Sequence, residues 1–196
     1  MHEVFNQNIF LVKKHLGLLK AANNFDILDP ETGRIIVECR EDNLGMLTKV
    51  FRFTKYKRFT PFNIELRTPD GARLLRVKRG ATFIRSTVHV YDAQDQAIGS
   101  FKLKFFTWGY AFQVLDAEGQ PVFILKSNFT GRNFRFLAGD LELAHVSKQW
   151  EGIGKKLTRL TSTVNYVIEI TQDVPTDSPA RQLILGTAIC IDMVLK

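Results

Sequence analysis

Phe112-Gln113-Val114-Leu115-Asp116-Ala117-Glu118-Gly119-Gln120-Pro121-Val122-Phe123-Ile124-Leu125 alternates apolar and polar residues on both sides of an acidic, glycine-containing turn. Period two turns one face of each arm inward, and Glu118-Gly119 supplies the positive φ that a tight reversal needs. The segment reads as a β-hairpin.

The same pattern recurs along the chain. Phe25 to Val37 turns through Pro30 to Gly33, Phe62 to Val77 through Pro69-Asp70-Gly71, and Val88 to Lys104 through Gln94-Asp95-Gln96. Weaker copies begin at Phe134, with a turn at Ala138-Gly139-Asp140, and at Tyr166. Their starts are too irregularly spaced for a propeller or a solenoid. Six hairpins imply about a dozen strands, enough to curl into a closed sheet without exposed edges. Two packed sheets in a sandwich are the alternative on this pattern alone.

The C-terminus departs from it. Ser178 can cap a helix, and Pro179 suits the first helical position. From Gln182 to Ile191 no residue is charged and apolar side chains fill every face, so a helix over about 179–195 must be buried. Its length matches the height of a small barrel, and Gly186, Ala188 and Cys190 are small enough to let strands approach. The pattern predicts a mainly β domain over 24–196 enclosing that helix, with residues 1–23 as an N-terminal strand or lead-in.

Bulk properties narrow the function. The chain has 196 residues, long enough for one well-buried core, and carries a net charge of +7, which favours anionic partners. Phe, at 16 residues, dominates the aromatics and suits a β-rich interior. Cys39 and Cys190 fit no metal spacing and read as buried free thiols, a disulfide between them being the alternative. The N-terminal stretch lacks the long apolar run of a secretory signal, and no run is long enough to span a bilayer. A cytoplasmic protein is expected, peripheral at most to the inner face of the plasma membrane.

Val146-Ser147-Lys148-Gln149-Trp150-Glu151-Gly152, followed by Leu183-Ile184-Leu185-Gly186-Thr187-Ala188-Ile189-Cys190-Ile191-Asp192, resembles the end of phospholipid scramblases. There a Ser-Lys-x-Trp-x-Gly element precedes an apolar helix closing in Ile-Asp. Phe25-x-Ile27-x-Asp29-Pro30 and Phe112-x-Val114-x-Asp116 look similar too, and the resemblance covers roughly Asn24 to Leu195. It implies the barrel shared with tubby-like and LURP-one-related proteins: a single twelve-stranded closed β-barrel around a C-terminal α-helix. It also implies a lipid-related role. One departure is plain. Where such proteins carry an acidic segment proposed to bind calcium, Leu160 to Tyr166 offers no carboxylate. No metal or cofactor is expected.

No catalytic constellation stands out, so the chain does not read as an enzyme. His2, His15, His89 and His145 are scattered, and Gly152-Ile153-Gly154-Lys155-Lys156 lacks the length and the Ser/Thr of a phosphate loop. The basic residues are more informative, because Arg40 to Arg85 contains twelve of them against four acidic. Period two places Arg76 and Lys78 outward beside inward Leu75 and Val77, and Lys102 and Lys104 repeat the device. Tubby domains display basic side chains to phosphoinositide on barrel strands. The resemblance therefore makes Lys55, Lys57, Arg58, Arg76, Lys78, Arg79, Lys102 and Lys104 the candidate site for anionic phospholipid headgroups on a membrane surface. Two other functions fit the composition. Lys49 to Phe62 interleaves aromatic and basic residues as single-stranded nucleic-acid binders do, and a protein-interaction scaffold would need neither ligand.

Overall fold

Three hairpins share one five-residue turn, at 68–72, 92–96 and 116–120. The first N–H bonds to the last carbonyl, and the fourth N–H returns to the first carbonyl, at 2.9–3.2 Å. The fourth residue takes positive φ in each: Gly71 at 94°, Asp95 at 67° and Gly119 at 81°. That is the geometry of a three-residue hairpin loop. Asp92 and Asp116 accept the N–H groups of Gln96 and Gln120 at 2.9 and 2.7 Å through Oδ1. The recurrent acidic residue therefore starts the turn as well as solvating it.

The computed structural model describes residues 1–15, 22–41, 45, 60–80, 87–106, 109–128, 131–147 and 165–195. Its strands are β1 (Ile9–Lys14), β2 (Phe25–Leu28), β3 (Ile35–Glu41), β4 (Phe62–Arg67), β5 (Arg73–Arg79) and β6 (Thr87–Tyr91). They continue with β7 (Ala97–Phe106), β8 (Gly109–Asp116), β9 (Pro121–Ser127), β10 (Asn133–Ala138), β11 (Leu141–Ser147) and β12 (Tyr166–Ile170). Every strand pairs antiparallel with its neighbours in the chain, and β1 pairs with β12, so the sheet closes into a twelve-stranded barrel.

The closure corrects one expectation. Tyr166 does not begin a sixth hairpin: β12 is a single strand lying between β11 and β1. Its second partner comes from the stretch read as an N-terminal strand or lead-in, with Ile9 opposite Glu169 and Val12 opposite Tyr166. Asn165 seals the seam, donating its N–H to the Val12 carbonyl at 2.8 Å and accepting the Lys14 N–H on Oδ1.

Helix α1 (Pro179–Leu195) occupies the barrel. Ser178 Oγ accepts the Ala180 N–H at 3.2 Å, the capping bond that the sequence predicts. Leu183, Ile184, Leu185, Ala188, Ile189 and Cys190 are buried on all sides of the helix. They meet inward rows such as Leu75–Val77, Val88–Val90 and Phe134–Phe136. Each such aliphatic side chain contributes about 1.5–3 kcal/mol by leaving water. Two glycines permit the fit. A Cβ on Gly186 would lie 3.2 Å from Val90 Cγ1, and one on Gly99 only 2.3 Å from the Leu115 carbonyl oxygen and 2.8 Å from Leu183 Cδ2.

One cation is deeply buried where the helix begins. Arg181 is 2% exposed, and its guanidinium donates to the carbonyls of Val174, Pro175, Phe5 and Gln7 and to Asn8 Oδ1 at 2.8–3.2 Å. It ties α1 to the loop before it and to the N-terminal 3-10 turn (Glu3–Asn6). Burial pulls this guanidinium below its usual pKa.

Candidate anionic-surface site

The alternation that builds the barrel decides which cations it displays. On β5, Leu75 and Val77 point inward, and so does Arg79, two residues further on. Arg79 is 2% exposed; its Nη2 donates to the Thr60 carbonyl at 2.6 Å, and its guanidinium lies 4.7 Å from the Phe62 ring centroid. Arg79 is therefore part of the interior, a correction to its place among the displayed cations. Arg76 faces outward but is engaged: its guanidinium packs 4.5 Å from the Tyr91 ring centroid and meets Asp95 Oδ1 at 2.6 Å. Asp95 also holds Arg73 at 2.7 Å.

Lys78, Lys102 and Lys104 are exposed on the outer wall. Lys55, Lys57 and Arg58 lie outside the described residues, in the connection between β3 and β4, as do Lys148 to Val164 with the Trp150 element and the glycine-lysine loop. Of the aromatic–basic stretch, Thr60 to Phe62 is described, and Phe62 is buried in the core.

Register adds cations that lie far apart in sequence. Lys104 is opposite Ala111, Ala111 opposite Lys126, and Lys126 opposite Arg135, so three cations occupy one outward row across β7 to β10. Strands lie about 4.8 Å apart, which puts Lys126 and Arg135 close enough for their charges to repel directly. Among the described residues Arg135 forms one ion pair, with Glu142 at 3.8 Å, and so exposed a pair is worth little. Among the described residues, none forms an ion pair with Lys102, Lys104 or Lys126. Adjacent like charges without a carboxylate between them cost stability, and a bound anion would relieve that cost. Nothing in the local sequence at Lys126 or Arg135 marks them, because only strand pairing brings them together.

A shallow groove of about 210 Å³ opens on the same face, lined by Gln113, Val122, Ile124, Leu137 and Lys126. Val122 and Leu141 are 39% and 49% exposed nearby. The wall thus presents cations beside apolar surface. Among the described residues no group of three His, Cys, Asp or Glu could hold a metal ion, and no helix is long and apolar enough to cross a membrane. Cys39 and Cys190 are free and buried, and burial pushes both thiols up in pKa, away from nucleophilic use.

Comparison with known proteins bears on this arrangement. A family model described as Scramblase matches residues 6–195. An X-ray structure of a protein from Arabidopsis thaliana is similar at a TM-score of 0.55 and 14% identity, covering 96% of this chain and 92% of that one. At that identity the likeness is one of fold. No curated protein sequence matches.

Proposed function

The chain belongs to the scramblase family, and on that premise we propose that it is a non-enzymatic, peripheral module that binds anionic phospholipid. The observation that carries this reading is the outward row of Lys104, Lys126 and Arg135, with Lys102 one step away along β7. Each cation near an anionic bilayer contributes about 1 kcal/mol, so four together hold a domain reversibly. Two buried free thiols fit a reducing compartment, which favours the cytoplasmic face. Among the described residues α1 packs against the inward side chains of the barrel, which favours the outer surface for any part in scrambling.

The test is sedimentation with phosphatidylcholine vesicles, with and without phosphatidylserine, beside a gel shift with single-stranded DNA. The lipid reading expects sedimentation with the anionic vesicles alone and no shift at matched salt. A DNA shift without vesicle binding would favour the nucleic-acid alternative, and neither would leave a protein-interaction scaffold.

A further inference from the structure

The antiparallel topology sorts the connections into two ends. Those at 29–34, 68–72, 92–96, 116–120, 139–140 and 171–178 share one end with the start of α1. They hold ten acidic residues and one basic, Arg34. Among the described residues of the connections at the opposite end, Arg132 is basic and none is acidic.

The described strands carry the same polarity. Lys78, Lys104 and Lys126 each lie within two residues of the end of their strand on the basic side, and Arg132 immediately precedes β10 there. All four are exposed. At the acidic end, Asp95 is neutralised by Arg73 and Arg76, while the turn acids Glu31, Glu118 and Asp140 are exposed. The charge is therefore sorted along the barrel axis, which a net charge of +7 alone does not require.

We infer that this axial polarity orients the barrel on an anionic bilayer, with the far rim of β5, β7, β9 and β10 toward the lipid and the six acidic turns toward solvent. The inference rests on the lipid reading and specifies its geometry. A bilayer of negative surface potential attracts the cationic rim and repels the acidic turns, and both effects fade within a Debye length of about 8 Å. The strands run roughly 20 Å from one end to the other, about two Debye lengths. Charge at one end is thus felt strongly and charge at the other scarcely at all, so the bound protein stands on its basic rim.

Two variants of equal net charge separate orientation from bulk attraction. Lys104→Gln with Lys126→Gln and Arg132→Gln removes three cations from the rim. Gln94→Glu with Gln96→Glu and Gln120→Glu adds three anions at exposed turn positions whose side chains make no described bond. Affinity for phosphatidylcholine vesicles containing phosphatidylserine should fall roughly a hundredfold for the rim variant, and less than about threefold for the turn variant. Circular dichroism checks that both keep the wild-type fold. Equal losses would overturn the orientation while leaving anionic-lipid binding intact. Failure of the wild-type protein to bind such vesicles would overturn the lipid reading and the orientation with it.

Discussion

Arg181 Nη1 donates to the Phe5 carbonyl oxygen at 3.1 Å, bonding the first turn of the central helix to a residue near the other end of the chain. Among the described residues no carboxylate bonds to this guanidinium, and the charge is balanced by carbonyl dipoles from Phe5, Gln7, Val174 and Pro175 together with Asn8 Oδ1. Arg181→Met should cost about 3 kcal/mol or more, because several buried carbonyls lose a charged donor at once. Arg181→Lys should recover little, since an ammonium cannot span the fork. Urea denaturation checks the magnitude. Hydrogen exchange at Val4 to Gln7 checks the location, and unchanged protection there would contradict the clamp.

The helix fits its barrel through glycine. Gly99→Ala sets a Cβ against the Leu115 backbone, which cannot yield, and overpacking should cost about 1–3 kcal/mol or more. Gly186→Ala meets only the Val90 and Val77 methyl groups at 3.2 and 3.4 Å, and helix propensity offsets much of that crowding. Gly186→Leu should be severe. Thermal melts should rank Gly186→Ala mildest, and the reverse order would mean that the helix is not enclosed as described. Deleting Leu183 to Lys196 should leave molten or insoluble protein.

These packing details were unequally legible in the sequence. Local signals held where one segment decided its own structure: the Asp-to-Gly turns, the alternation of Leu75 and Val77, and the Ser178-Pro179 helix start. The failures involve partners distant in the chain. The Tyr166 strand has hairpin-like alternation, yet its second neighbour is β1, and no local pattern names a partner so remote. Arg79 is legible in the strand's own parity, since the alternation that buries Val77 also buries Arg79. Lys126 and Arg135 are not, because their meeting depends on the register between β9 and β10. Arg181 resembles any helix-start cation until the N-terminal turn is seen to lie over it.

A second polar cluster makes stability depend on pH. Burial pushes the Asp26 carboxyl up, but hydrogen bonds with His15 Nε2 at 2.7 Å and from Arg40 Nη2 at 2.8 Å outweigh it and hold the group below its ordinary value. A depressed folded-state pKa means that the ionised group stabilises the fold above the unfolded value and loses that contribution as pH falls through the folded one. Asp26→Asn should therefore lower stability at neutral pH and flatten the acid limb below about pH 4. Parallel acid limbs for the two proteins would count against this assignment.

Calcium should have no effect on stability. The segment Leu160 to Tyr166 contains no carboxylate, and at its described end the Asn165 side-chain oxygen is committed to the Lys14 N–H. Calcium requires several oxygens, usually including carboxylates, around one point. Melting temperature should be the same in millimolar calcium and in chelator, because a ligand specific to the native state must raise it. A calcium-dependent rise lost on changing Ser162 to Ala would contradict the expectation.

Whether the outward cations of β7 to β10 hold an anionic bilayer is tested most directly by vesicle affinity across a salt titration. The proteins compared are the wild type and Lys104→Gln with Lys126→Gln and Arg135→Gln. Wild-type affinity for phosphatidylserine-containing vesicles should fall steadily with ionic strength and be negligible on phosphatidylcholine alone. The triple variant should bind roughly a hundredfold more weakly at low salt, with a flatter dependence. Equal wild-type affinity for neutral and anionic vesicles, or a triple variant indistinguishable from wild type, would contradict the proposed function.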